Sequence, residues 1–488
     1  MGIVVKQSVV NTLILFLGFT LGGINVLFLY THFLKDDYYG LVNFILSSAN
    51  ILMPLMVFGM QNTIIRFFSS YSTKVARDSF VIAMLVMPLA IIIPLALIGT
   101  LAYDTIANWI SRENPIIRSY TPYIFLVAVF MGYFEVFYAI SRVQLRSVFG
   151  NLIKEVFARL SVTFLLIGVA LKWIDDHQFI YAVVIVYGIR MLIMKLYAFS
   201  IYRPKLIFKL PTNFKEIISY SFYIILAGSA SGILLDIDKF MIPQMQQIAQ
   251  VAYYSVGIYI ASVIGIPSRA MQQIIVPLTA KAINSNDFDE VNNLYRKSSI
   301  TLLIAGGLLL LLININIVDL YRFINKPEFS VGVPIVLIIS VSELYKLALG
   351  TNGAILSNSQ YYKIFFYFSL AMALSVIFLN RWLIARIGIN GAALATLIVV
   401  LVFSTYKLFY IKKKMNMQPF TVNTGKVLVL TLVLFMAFYF IKLPFHPLLN
   451  IALKSILISL LYILAIFRMH VSEEVNILIA RILKNKRG

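Results

Sequence analysis

Apolar positions in this chain come in long unbroken blocks, not in the alternating pattern of a half-buried strand. Fourteen blocks stand out, at roughly 8–33, 41–60, 79–103, 121–141, 153–173, 179–201, 217–240, 252–275, 299–318, 331–350, 362–380, 390–410, 426–443 and 449–468. Each holds about twenty residues, the length at which a helix crosses a hydrocarbon layer about 30 Å thick. Strands of a membrane barrel would instead alternate over about 10 residues. The pattern predicts an all-α polytopic membrane protein with about fourteen transmembrane helices. The connections are short, the longest being 276–298, so no soluble domain of useful size is expected. The first block is too long for the apolar core of a signal peptide and lacks a small-residue cleavage site, so it is expected to be a retained span.

The last residues break the pattern. From 469 to 488 charges are too frequent for a span, yet Val475, Leu478, Ile479, Ile482 and Leu483 recur at helical spacing. Ser472 is placed to cap such a helix, with Glu473 and Glu474 in its first turn. Arg481, Lys484, Lys486 and Arg487 suit an anionic inner leaflet. The expectation is a cytoplasmic amphipathic helix lying in the interface.

Composition sharpens the membrane reading and charge gives it a direction. Of 488 residues, 60% are hydrophobic and 12% charged, where a soluble domain carries about a quarter charged residues. Lys and Arg number 41 against 20 Asp and Glu, a net charge of +21. On a soluble protein that excess would suggest nucleic acid; here its position explains it. With Met1 on the cytoplasmic side, 27 of the 41 basic residues lie on or beside cytoplasmic segments and 10 on external ones. That bias predicts cytoplasmic N- and C-termini and removes the need for a nucleic-acid partner. There is no cysteine, hence no disulfide or thiol chemistry, in keeping with a bacterial inner membrane. No metal or cofactor is expected.

A weak internal repeat organises the spans. The segment Lys35, Asp36, Asp37, Tyr38, Tyr39, Gly40 is followed by a helix and then Arg66; Gln250, Val251, Ala252, Tyr253, Tyr254, Ser255 is followed by a helix and then Lys281. The Tyr-Tyr pairs and the two bases share one offset, 215 residues, with no gap. Two six-helix lobes in the same orientation follow, related by an axis along the membrane normal, a common design of alternating-access carriers. The expected organisation is an N-lobe at 1–210 with helices 1–6, a C-lobe at 211–411 with helices 7–12, helices 13–14 at 412–468, and the interfacial helix at 469–488.

Charges inside the spans are the candidate chemistry, because each costs on the order of 2.5–3.5 kcal/mol unless it faces a cavity or a partner. Glu135, Arg190, Lys195, Asp236, Asp238, Lys239, Arg269, Glu343, Lys346 and Lys454 qualify, and Arg66 sits at the inner end of span 2 behind Gln61 and Asn62. Lys195, Lys346 and Lys454 lie toward one end of their spans and are expected to snorkel. Glu135 and Glu343 either pair with a base on a neighbouring helix or titrate with a coupling ion. Asp236 and Lys239 are three apart and suit a local helical pair. If Arg66, Arg190, Arg269 and Lys281 line the cleft, with Gln61 and Asn62 beside them, the cavity is cationic and favours an anionic cargo. Arginine also matches phosphate by bidentate donation. Span 1 has no acid between Lys6 and Lys35, which argues against a carrier of drug cations.

Three segments carry a resemblance. One is Tyr38, Tyr39 and Gly40 before span 2 with the stretch from Gly59 through Arg66 to Tyr71 at its end. Another is Asp236, Asp238 and Lys239 followed by 251–259 around Gly257. The third is Gly388, Gly391 and Thr396 opening span 12. In order and spacing the chain resembles the polysaccharide biosynthesis and export proteins of the multidrug/oligosaccharidyl-lipid/polysaccharide exporter superfamily, with the Wzx-type O-antigen flippases as the nearest branch. The resemblance implies a V-shaped two-lobe fold that moves an undecaprenyl-diphosphate-linked oligosaccharide from the inner to the outer leaflet. Related lipid II flippases hold diphosphate with arginines, a role that carries over to Arg66, which lies in the matching motif. Asp238 matches a family position of open role.

The expected function is therefore a flippase working by alternating access through a cationic cavity, with Arg66, Arg190, Arg269, Lys281, Gln61 and Asn62 as substrate contacts. Glu135, Glu343 and Asp238 are the candidates for ion coupling. Its partners would be the lipid-linked oligosaccharide, membrane lipids and other polysaccharide-assembly membrane proteins. The rival of the same fold is a multidrug or small-molecule antiporter. A membrane-embedded glycosyltransferase or polymerase is a third reading, but it needs catalytic carboxylates and a large external loop. Only Asp236 and Asp238 offer the first, and no external connection exceeds 104–120.

Overall fold

The computed structural model describes residues 3–471, and every regular element among them is helical. The expected interfacial helix begins at Ser472 and lies outside the described residues. Twelve helices among the described residues are long and apolar enough to cross a membrane. Two of the fourteen expected spans are not among the twelve, although both are helical: 148–170 and Phe214–Met241. The first carries Lys154, Glu155 and Arg159 in its opening half, whereas the second is free of charge from 217 to 234, between Lys215 and Glu216 at one end and Asp236, Asp238 and Lys239 at the other.

The chain divides into two compact units, Met1–Ala252 and Tyr253–Gly488. In the first unit the main helices are α1 (Ile3–Ile24), α2 (Asp36–Met56), α3 (Met60–Phe67), α4 (Lys74–Val86), α5 (Leu89–Leu101), α6 (Thr121–Val143), α7 (Ala158–Ala170), α8 (Asp176–Ile201) and α9 (Phe214–Met241). Helix α6 is the hub, packing on α2, α3 and α8. Its Phe134, Val136, Phe137 and Ile140 join Met60, Ile64, Phe67, Phe80 and Met84 in one buried cluster. Helix α9 runs along α2 and belongs by its contacts to this unit. By contacts the first unit thus extends past 210/211 to Ala252. The reason is local: Phe44 stacks on Phe240 at 5.9 Å, Thr63 and Ser221 share a hydrogen bond of 2.8 Å, and Ile217 is buried in the α6 cluster.

Helix starts and breaks follow from particular residues. Asp36 and Asp37 fill the first turn of α2, where negative charge meets the positive helix end. The helix is broken between α2 and α3 at Phe58 and Gly59, both with positive φ (47° and 66°), and α3 continues along α9 beyond the break. A Cβ at Gly59 would also stand 2.6 Å from Ile224 Cγ2, so glycine is required there for conformation and for space. Thr73 caps α4 by accepting from the Ala76 amide at 3.2 Å. Helices α4 and α5 form one span, Lys74–Leu101, interrupted at Met87 and Pro88, where proline cannot continue the hydrogen-bond ladder. Two π-helical turns, Asn25–Leu29 and Ile153–Phe157, lie in neighbouring helices. Asn25 Nδ2 donates to the Arg159 carbonyl at 2.8 Å, and Thr163 Oγ1 donates to Asn25 Oδ1 at 2.8 Å.

The second unit contains α10 (Ala249–Ser262, whose first turn precedes the boundary), α11 (Ile266–Asn284), α12 (Phe288–Ile324), α13 (Val333–Ala348), α14 (Tyr362–Ile387), α15 (Ile389–Met415), α16 (Val422–Tyr439) and α17 (Pro447–Arg468). Helix α12 is its spine and packs on α11, α13, α16 and α17. The last two helices are not loosely appended: Val427, Leu434, Ile458, Tyr462 and Ile466 share a buried cluster with Leu303, Leu311 and Ile315 of α12.

Candidate functional site

In the first unit the turn at 57–59 sets the direction of α3 and so places Gln61, Asn62 and Arg66. Thr63 and Ile64 face inward and are fully buried, while Arg66 is exposed at the end of the helix. Its guanidinium carbon lies 4.4 Å from the centroid of the Tyr220 ring and 5.4 Å from that of Phe67. Both are within cation–π range. No ion pair involves Arg66 among the described residues, so its fork of donors stays available. Gln61 and Asn62 are half-buried, and Gln61 Oε1 is a buried acceptor with no hydrogen-bond partner among the described residues.

Arg190 is in a different setting. It is 8% exposed, with its guanidinium carbon 4.1 Å from the Phe134 centroid and 5.4 Å from that of Tyr187. Its Nε is buried without a hydrogen-bond partner. Glu135 and Glu155 are close enough to act on it electrostatically. Both acids are themselves paired: Lys154 Nζ is 2.6 Å from Glu135 Oε1, and Arg159 Nη1 is 2.8 Å from Glu155 Oε2. Of the two readings of Glu135, the structure displays the ion pair. Asp238 is buried near the end of α9, and Lys239 lies 3.6 Å from Asp236 in the expected local pair.

In the second unit Arg269, in the first turn of α11, and Lys281, near its end, are both exposed and without an ion pair among the described residues. Glu343 of α13 pairs with Lys346 one turn on. A Cβ at Gly265, one turn before Arg269, would lie 3.1 Å from Glu343 Oε2, so that carboxylate stands against the start of α11.

Lys454 does not snorkel. It is 7% exposed, and its Nζ lies 2.9 Å from Asp319 Oδ2, itself 5% exposed. Asn450 Nδ2 donates to Asp319 Oδ1 at 3.3 Å and to the Leu443 carbonyl at 3.0 Å. Asp319 was outside the expected span at 299–318, which stopped one residue short of it. Lys154, Glu155 and Arg159, at the start of the expected span 153–173, are likewise not among the candidate charges. The signal for both clusters was available: an acid within one or two turns of an apolar run.

Among the described residues no group of His, Cys, Asp and Glu is arranged to hold a metal ion.

A family model described as "Polysaccharide biosynthesis protein" matches residues 4–283, more than half of the chain. The chain belongs to the polysaccharide biosynthesis protein family. A comparison with curated protein sequences found no match. Among solved structures, the family member is similar to a lipid II flippase MurJ in an inward closed conformation. The TM-score is 0.74 at 16% identity, with 95% of this chain and 100% of that chain covered. It is also similar to an inward-facing multidrug resistance MATE family transporter of the MOP superfamily (TM-score 0.56, 12% identity, 84% and 94% covered). A third likeness is to a MOP superfamily transporter from Pyrococcus furiosus with a binding pocket of reversed polarity (0.57, 11%, 84% and 96%). At these identities the likeness shows the fold: an all-helical, multi-pass membrane fold shared with these proteins.

Proposed function

We propose that the protein flips an undecaprenyl-diphosphate-linked oligosaccharide across the bacterial inner membrane by alternating access, with Arg66, Arg269 and Lys281 meeting the diphosphate. One observation supports this above others: the imbalance of partners among the charges in or beside the apolar helices. Glu135, Glu155, Asp236, Asp319 and Glu343 each have a basic partner. Arg66, Arg269 and Lys281 are exposed and have no acidic partner among the described residues. An uncompensated base near hydrocarbon is costly. An anionic headgroup would offset that cost and would itself be spared an unpaired passage through the bilayer. A carrier of organic cations needs the opposite imbalance.

Arg190 is enclosed by Phe134 and Tyr187 in this conformation and meets cargo only if those rings move. Glu135, Glu343 and Asp238 remain the candidates for ion coupling, with Lys154 and Lys346 as the present partners of Glu135 and Glu343.

The test is export of lipid-linked sugar in cells carrying Arg66→Ala, Arg269→Ala or both. Loss of export at unchanged protein level, with the lipid-linked glycan accumulating in the inner leaflet, is the expected result. Normal export in both single variants and in the double variant would overturn the reading.

A further inference from the structure

An apolar groove runs along the outside of the first unit, lined by none of the proposed transport residues. It encloses about 690 Å³. One wall is a two-ridge stripe of α4 and α5: Ile82, Ala83, Val86, Met87, Ala90 and Ile93, ending at Pro94. From Ile82 to Pro94 the helical rise of about 1.5 Å per residue makes this wall roughly 18 Å long, against about 15 Å for one leaflet's hydrocarbon layer. The interruption at Met87 and Pro88 falls within this wall.

The other wall is not a helix. Between Ile201 and Phe214 the chain is largely extended, and Ile207, Phe208, Lys209 and Leu210 of this strap line the groove. The strap is tied to the start of α4 at two points. Tyr202 donates its hydroxyl to Asp78 Oδ1 at 2.6 Å, and Ser79 Oγ donates to the Lys209 carbonyl at 2.5 Å. Burial and the Asp78 hydrogen bond push the Tyr202 phenol up, so it stays a donor. Every second strap residue is apolar and exposed: Leu206 at 77%, Phe208 at 79% and Leu210 at 64%. Non-helical backbone exposed to lipid is excluded from hydrocarbon, so this strap belongs at headgroup depth with its apolar edge dipping inward. Its bases are Arg203, Lys205, Lys209 and, just beyond, Lys215, against the single acid Glu216. None of the four makes an ion pair among the described residues.

We propose that this groove is a binding site for one anionic phospholipid, its acyl chain lying along α4 and α5 and its phosphate held by Lys205 and Lys209. The apolar trough holds the chain by packing, since the surrounding hydrocarbon is as apolar as the groove, and the unpaired strap bases select the headgroup charge. The site is independent of the transport residues, so its failure leaves the proposed function untouched.

The test is native mass spectrometry of the full-length protein in detergent, titrated with phosphatidylglycerol or phosphatidylcholine of identical chains. Wild type should retain one phosphatidylglycerol with a preference on the order of tenfold. Lys205→Gln with Lys209→Gln should abolish the preference. Ala90→Trp, at an exposed position whose side chain would fill the trough, should lower retention of both lipids without changing the melting temperature in detergent. The proposal is overturned by equal retention of the two lipids in wild type, by a preference that survives the double substitution, or by normal retention in Ala90→Trp. Displacement of phosphatidylglycerol by equimolar undecaprenyl phosphate would also overturn it, assigning the groove to a polyprenyl tail.

Discussion

The buried pair between α12 and α17 predicts an asymmetric mutational response. Asp319 has two donors, Lys454 Nζ at 2.9 Å and Asn450 Nδ2 at 3.3 Å, and a looser ion-pair contact with Arg322 Nη1 at 3.6 Å, on a side chain that is mostly exposed. Lys454 has Asp319 as its one acidic partner among the described residues. Removing one member of a buried pair costs about 3–5 kcal/mol, because the other charge is left stranded. Lys454→Met leaves Asp319 with Asn450 and with Arg322, which can swing inward, so the cost belongs near 3 kcal/mol. Asp319→Leu strands an ammonium that no neighbour compensates, so the cost belongs near 5 kcal/mol. Asp319→Leu combined with Lys454→Met leaves no stranded charge and should lie within about 1–2 kcal/mol of wild type. Reversible unfolding in mixed micelles, or thermal aggregation followed by size exclusion, ranks the three variants. If the double variant loses as much as the two single ones together, the pair is not coupled in the way its geometry states. If Lys454→Met is the worse of the two single substitutions, the role given to Arg322 is wrong.

Three further predictions concern the first unit and the topology. Gly59→Ala must take φ near 66° and bring a Cβ to 2.6 Å from Ile224; it should destabilise by about 2 kcal/mol or more, read as a lowered melting temperature, and an unchanged value would refute the packing of α3 on α9. Tyr220→Phe keeps the ring under Arg66 and should leave export intact, whereas Tyr220→Ala should reduce it about two- to fivefold, the equivalent of a cation–π contact worth about 0.5–1 kcal/mol; equal export in both variants would show that the ring does not position the guanidinium. In this cysteine-free chain, Asp36→Cys and Asn416→Cys should be labelled by a membrane-impermeant reagent from opposite sides, and same-side labelling would break the positive-inside assignment.

Much of the architecture was legible because membrane spans announce themselves by length. Twelve of the fourteen apolar blocks reappear as long apolar helices, and the other two as charged helices in the same places. The local pairing of Asp236 with Lys239 was also readable, since it depends on residues near in sequence, whereas the break at Phe58 and Gly59 falls inside the expected span 41–60. What the residues did not disclose is which helix packs on which. Span α9 is apolar on most sides, and a lipid-facing side chain looks like a core one, so no stripe marks its partner. Its place beside α2 depends on contacts such as Phe44 with Phe240 and Thr63 with Ser221, which lie far apart in the chain. The same limit hid the Asp319 and Lys454 pair, whose members are separated by 135 residues. The two π-helical turns were invisible for a different reason: one extra residue in a turn leaves no mark on apolar composition.

The two kinds of intramembrane charge in this chain are distinguished by what remains unpaid after folding. Lys454 sits among buried apolar neighbours, yet Asp319 neutralises it within the unit. Such a charge fixes the register of α17 on α12 and needs nothing from outside. Lys154 with Glu135 and Arg159 with Glu155 are settled in the same way. Arg66 has an aromatic face but no acid, and Arg269 has neither among the described residues. Insertion scales put a central unpaired base at about 2.5–3.5 kcal/mol, less toward the interface where these two lie. A fold that neutralises five acids and leaves these bases open is less stable than one with leucine in their place, and stability given up at exposed polar positions is characteristic of sites that act. Depth alone would have singled out Arg190 and Lys454 as the functional charges. Partner accounting instead supports the proposed role of Arg66 and Arg269, which are exposed and without an acid among the described residues, a condition they share with Lys195 of α8.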